Sequence, residues 1–234
     1  LKADLRGVDS HGIARLSGYL RQMDHGVIKI DAEPAITHET PATANLNADQ
    51  ELGLIAARDA IKTAIDKAKA VGCGFVTVHN STHFGIAAAH AELALEADMI
   101  GLASTNATPV VAPANGTTPR LGTNPFCWAI PAGEEPPFIA DMATTTVANG
   151  KLEVAARKGA NVPEGWVQTS DGNPSKDPYV VERGGTLIPL GSDAAHSYHK
   201  GYALGAVADI LSGVLGGANF GPWVPPFVPY VAQS

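Results

Sequence analysis

Gly74-Phe75-Val76-Thr77-Val78-His79, then Asn80-Ser81-Thr82-His83-Phe84-Gly85, then an alanine-rich run to Ala97, sets the fold class. The first six residues alternate β-branched and aromatic side chains and stop at a polar turn, the pattern of a buried strand. The run over 85–97 is rich in alanine, a strong helix former whose small side chain allows close packing. Strand, turn and helix recur on both sides of this unit. Upstream, residues 35–38 and 43–46 read as paired strands, and Asp49 opens a long helix ended by Gly72, with Leu54, Ala57, Ile61, Ile65 and Ala68 on its core face. Further upstream, Asp9 or Ser10 caps a helix through Leu16, Tyr19, Leu20 and Met23 to Gly26. Downstream, residues 100–104, 126–130 and 138–142 read as short apolar strands, and 147–158 and 202–215 as helices around a polar loop at 169–178. Strands alternating with helices define an α/β class.

Composition narrows the partners. The 234 residues are 45% hydrophobic and 17% charged, a balance that builds a core and argues against disorder. The net charge is −7 and no lysine or arginine run occurs, so no nucleic-acid surface is expected. No apolar stretch is long enough to predict a membrane span. Two cysteines, Cys73 and Cys127, with no secretory signal before them, point to a reducing cytoplasm. The chain opens at Leu1 and closes on a proline-rich tail carrying Phe220, Trp223, Phe227 and Tyr230, with no later segment to cover the rings. We expect a piece of a longer protein whose tail packs on a second copy or on flanking sequence.

Several familiar sites are missing. Gly72-Cys73-Gly74 precedes a strand and lacks a third glycine, so no standard dinucleotide fingerprint is present, and no P-loop, zinc spacing or serine elbow occurs. What remains is a set of polar turns. His11 is predicted in the first turn of a helix, where the dipole disfavours imidazolium, with Arg15 four residues on to fork onto a carboxylate. A capping Ser10 with a solvated His11 and Arg15 fits the same spacing. His83 follows a strand's carboxyl end, where ligands of α/β sheets gather, although it also fits as a loop filler beside a helix cap. Leu121-Gly122-Thr123-Asn124-Pro125 and Asp141-Met142-Ala143-Thr144-Thr145 offer amides and hydroxyls to a ligand, or simply make good turns.

Taken in order, Asp4-Leu5-Arg6-Gly7-Val8-Asp9-Ser10-His11-Gly12, Asn80-Ser81-Thr82-His83-Phe84-Gly85, Leu121–Pro125, Asp141–Thr145, Gly150-Lys151, Pro163-Glu164-Gly165-Trp166, Asp171-Gly172-Asn173-Pro174 and Lys200-Gly201-Tyr202 resemble the malate/L-lactate dehydrogenase family of the non-Rossmann kind. The resemblance runs through the whole chain. It implies a single catalytic region over 1–234 that lacks the family's opening helices and a C-terminal segment, with a substrate-site helix at 9–25 and a cofactor-binding core at 72–215. It also implies a mixed sheet with surrounding helices and an NAD- or NADP-dependent interconversion of a 2-keto acid and an L-2-hydroxy acid by a homodimer. By the same resemblance, His11 or His83 exchanges the proton, Ser10 and Asp141 steady the polar network, and Arg15 binds the substrate carboxylate with Thr123 and Asn124. His83, Gly122, Thr123, Asn124, Asp141, Met142, Ala143, Thr144, Thr145 and Lys151 line the cofactor. Asn149 stands where many relatives carry arginine. A cyclic imino-acid reductase and an inactive truncated member are the alternatives.

Overall fold

The computed structural model describes residues 1–227; Tyr230 and the rest of the tail's end lie outside the described residues. Three small sheets, each of three strands, carry the fold. In the first, β1 (Ala35–Glu39) pairs antiparallel with β2 (Thr43–Asn47), and β2 pairs parallel with β3 (Phe75–His79), so the sheet is mixed. The crossover between β2 and β3 is the long helix α3 (Gly53–Val71), stopped by Gly72 in the left-handed region at φ 93°.

Two details of α3 correct the sequence reading. The helix starts at Gly53 instead of Asp49, because Asp49 and Gln50 take positive φ and the Asp49 carboxylate is used by Lys29 and the Glu33 N–H. Its buried stripe is Gly53, Ala56, Ala60, Ala64 and Lys67, one step round from the larger aliphatics at Leu54, Ile61 and Ile65. Close backbone packing decides this. A Cβ at Gly74 would collide with the Ala64 carbonyl, so the strand accepts only the small-residue face of the helix. Lys67 is tolerated there since its ammonium donates to Glu39 Oε1 and the Thr40 carbonyl, both at 2.7 Å.

The second sheet is antiparallel: β4 (Gly101–Ser104), β5 (Phe126–Ile130) and β6 (Phe138–Met142). Cys127 and Ala129 on its inner face pack with Ala3, Ile86, Ala87, Ala88 and Ala91. The helix expected over 85–97 is instead a single turn, α4 (Ala88–Ala91), continued by a 3-10 segment (Glu92–Ala97). Leu102 and Trp128, cross-strand neighbours on the other face, are exposed, with Phe138 and Met142 beside them. A third small sheet, β7 (Val167–Gln168), β8 (Pro174–Ser175) and β9 (Thr186–Leu187), is seated on Val111, Val147, Leu152, Val162 and Val180. Helices α5 (Asn149–Arg157) and α6 (Tyr198–Asp209, continued by a π turn to Val214) flank it.

The amino-terminal region departs most from expectation. After α1 (Lys2–Leu5), two 3-10 turns, Asp9–His11 and Ile13–Arg15, precede α2 (Leu16–Asp24), so the predicted helix over 9–25 is only half helical. Gly12 breaks it. A side chain there would collide with the Asp4 carboxylate, which instead accepts the Ile13 N–H at 3.0 Å. Neither Asp9 nor Ser10 caps the helix. Among the described residues no helix is long and apolar enough to cross a membrane.

Candidate active site

The short turn Asp9–His11 frees Ser10 and His11 from helical capping and turns them toward each other, Ser10 Oγ lying 2.8 Å from His11 Nδ1. The loop after β3 brings His83 alongside, and the two imidazoles stack with centroids 5.5 Å apart and planes 27° from parallel. Arg15 completes the group from the next turn: its Nε donates to the Ser10 carbonyl at 2.6 Å. The structure therefore joins Ser10, His11, Arg15 and His83, four of the expected residues, from two distant segments. Asp141, at the end of β6, lies close enough to act electrostatically on His11, and its Oδ2 accepts the Ala88 N–H at 2.9 Å.

Hydrogen bonding fixes the His83 tautomer. The Gly85 N–H donates to His83 Nδ1 at 3.3 Å, and Tyr19 Oη lies 2.8 Å from the same nitrogen. An atom that accepts from a backbone amide carries no proton, so Nε2 holds it. Burial, then the nearby His11 and Arg15 charges, pull the His83 pKa down from 6.5 to about 3. His83 is thus a neutral donor through Nε2. Burial and Arg15 also lower His11, but Asp141 and Glu153 work against that shift, which leaves His11 the imidazole better suited to exchange a proton. Burial raises Asp141, opposed by the Ala88 N–H bond.

A consequence for stability follows from His83. Its folded-state pKa is depressed, so its stabilising contribution is complete above pH 6.5 and is lost as pH falls toward 3. Urea unfolding is expected to show stability dropping between about pH 7 and pH 5, above most carboxylate titrations. His83→Asn should flatten that slope; an unchanged slope would mean that His83 is solvated.

Three residues join the site that the motifs did not indicate. Tyr19 reaches His83 from the buried side of α2. Glu153 of α5 accepts Arg15 Nη2 with both carboxylate oxygens at 3.1 Å. Phe227 places its ring edge-on to His83, 5.0 Å between centroids, and 5.8 Å beneath the Arg15 guanidinium. Gly18 makes room for that ring, and Gln22 holds the Phe227 carbonyl. The tail is therefore covered at Phe227 by the chain's own residues, contrary to expectation, whereas Phe220 and Trp223 pair edge-to-face and remain exposed. Helical spacing marks Tyr19 only as a core residue, and nothing in local sequence links Glu153 or Phe227 to Arg15.

The segments expected to meet a cofactor divide in two. Asn124 is fully buried at φ 34°, its Oδ1 accepting the Ala107 N–H and its Nδ2 donating to the Gly205 carbonyl. Thr144 donates to the Thr123 carbonyl and Thr145 to the Val147 carbonyl. A Cβ at Gly122 would strike the Ala107 carbonyl. The side chains of Asn124, Thr144 and Thr145 are thus hydrogen-bonded within the fold and hold these loops together. Met142 and Lys151 are exposed, with Ala143 half-buried beside the threonines. No side chain caps the α5 N-terminus, and Lys151 stands in its first turn, a donor set that fits a dinucleotide pyrophosphate. Gly150 lies against Ser10 and Arg15, where a Cβ would collide with the Ser10 side chain. The described residues hold no cluster suited to a metal ion.

Comparison with known proteins identifies the family. The profile described as malate/L-lactate dehydrogenase matches residues 1–233. A malate dehydrogenase of Pyrococcus abyssi is 44% identical over 94% of this chain and 61% of its own length. An L-sulfolactate dehydrogenase of Methanothermobacter thermautotrophicus is 42% identical over 94% of this chain and 62% of its own. The crystal structure of malate dehydrogenase from Entamoeba histolytica superposes with a TM-score of 0.91 at 39% identity, covering 94% of this chain and 63% of that one. The chain thus spans about three-fifths of the length of these relatives. With a family profile covering nearly every residue and an α/β fold shared with solved members, the chain belongs to the malate/L-lactate dehydrogenase family.

Proposed function

We propose that this chain forms the substrate-binding and proton-exchanging part of an NAD- or NADP-dependent dehydrogenase that interconverts a 2-keto acid and an L-2-hydroxy acid. The observation that carries the reading is one guanidinium, Arg15, set beside two stacked imidazoles of which one is locked as a neutral donor. Arg15 binds the substrate carboxylate. His83 Nε2–H donates a hydrogen bond to the oxygen on C2, and His11 gives it a proton in reduction or takes one in oxidation. Ser10 orients His11, and Asp141 offsets the charge that forms on it. A nicotinamide, when bound, would supply or accept the hydride. The α5 N-terminus with Lys151 would hold its pyrophosphate, and Gly122, Thr123 and the Asp141–Thr145 backbone would shape the wall around the ring.

The reading includes a homodimer, supported by the exposed Trp128, Phe138 and Met142 on one sheet face, which a second copy would cover. A reducing cytoplasm is the proposed setting, in keeping with two free cysteines. The test is a panel of pyruvate, oxaloacetate and a cyclic ketimine, read by loss of reduced-nicotinamide absorbance. Turnover of a 2-keto acid is expected. Turnover of the ketimine alone would transfer the same clamp to imino-acid reduction, and no turnover with any of them would overturn the reading.

A further inference from the structure

Arg15 is held on two sides. Its Nε is fixed by the Ser10 carbonyl, and its Nη2 lies 3.1 Å from each oxygen of Glu153. Glu153 sits one turn after Gly150 on the same face of α5, and Gly150 is in direct contact with Ser10 and Arg15. The guanidinium plane is therefore set by the turn that carries His11 and by the helix that carries Lys151. We infer that Glu153 is a positioning residue, whose carboxylate orients the Arg15 guanidinium so that its remaining edge meets the substrate carboxylate. The inference rests on reading Arg15 as the carboxylate clamp. It adds a residue 138 positions away in sequence that holds Arg15 and also acts electrostatically on His11.

An arginine side chain has several rotatable bonds, and a guanidinium fixed at Nε alone still pivots about that contact. A second contact at Nη2 removes the pivot before substrate arrives, which lowers the ordering cost of binding. Glu153 is partly exposed and holds Arg15 through both carboxylate oxygens. The charged and titratable groups facing His11 are Arg15, Asp141, Glu153, His83 and, through His83, Tyr19. Of these, Glu153 and Asp141 favour the imidazolium, so removing the Glu153 charge moves the His11 titration to lower pH.

The experiment compares Glu153→Ala and Glu153→Gln with the wild type in the naturally occurring protein. Three quantities are measured: KM and kcat for a 2-keto acid, the pH midpoint of hydroxy-acid oxidation, and oxalate binding by calorimetry without nucleotide. Glu153→Ala is expected to raise KM and weaken oxalate binding about tenfold, with kcat changed less than about twofold. Glu153→Gln, which keeps an acceptor, should recover most of the affinity, and both variants should shift the pH midpoint downward. An unchanged KM and oxalate affinity would reduce Glu153 to a surface ion pair and overturn the inference, leaving the clamp intact. A lower KM would overturn it by making Glu153 a competitor of substrate. Failure of the wild type itself to bind oxalate would instead overturn the reading of Arg15, and the inference with it.

Discussion

His11→Ala is expected to lower kcat by about 100- to 10,000-fold, the usual contribution of a general acid or base, with little change in KM. The size follows from the asymmetry between the two imidazoles. His83 is held neutral by burial and by two neighbours at Nδ1, so its loss removes one hydrogen bond, and His83→Asn should cost about tenfold. His11 has Ser10 on one nitrogen and two carboxylates, Asp141 and Glu153, working to keep its proton. In oxidation the neutral form is required, so the rate should fall with acid through a midpoint below the ordinary 6.5. Steady-state kinetics across pH in both directions checks this. Equal losses for the two histidine variants would mean that they act as one unit and that the tautomer argument is wrong.

Arg15→Lys is expected to raise KM for the keto acid about 30-fold or more, equivalent to about 2 kcal/mol of lost charge-pair binding. Three contacts are lost together. An ammonium cannot bond the Ser10 carbonyl and Glu153 from a planar fork, nor present a flat face to Phe227. Nucleotide affinity should change little, since Met142 and Lys151 make no hydrogen bond to the guanidinium, whose partners are Ser10 and Glu153. Isothermal titration with the nucleotide, set beside KM for the keto acid, separates the cases. Equal losses in both would show that Arg15 holds the two segments together more than it holds substrate.

Much of the architecture is legible in the chain because its strands are short apolar runs with glycine, proline or asparagine at both ends. Residues 126–130 and 138–142 fall on β5 and β6 without adjustment. The errors arise where close packing overrides periodicity. A helical wheel of α3 favours Leu54, Ile61 and Ile65 for the core, but the Gly74 backbone packs directly on Ala64 and the buried stripe is the small-residue one. In the same way nothing in residues 9–25 announces that Asp4 folds onto Gly12 and splits the helix. The site shows the same division. Ser10, His11, Arg15 and His83 lie in turns whose polar composition marks them, whereas Asn124 has a ligand-like sequence context and a structural role. Glu153 and Phe227 become visible only when distant segments meet, and local patterns carry no record of such meetings.

Gly150 carries a final consequence. The turn that grips the acid and the helix proposed to grip the nucleotide touch where a single added carbon would force them apart. Their separation is thereby set where the Gly150 main chain meets the Ser10 side chain, so it depends on those two residues and not on the rest of the cleft lining. Such an arrangement uncouples two kinds of evolutionary change. Lining residues are free to drift toward new acids while the spacing between the reacting partners is inherited unaltered.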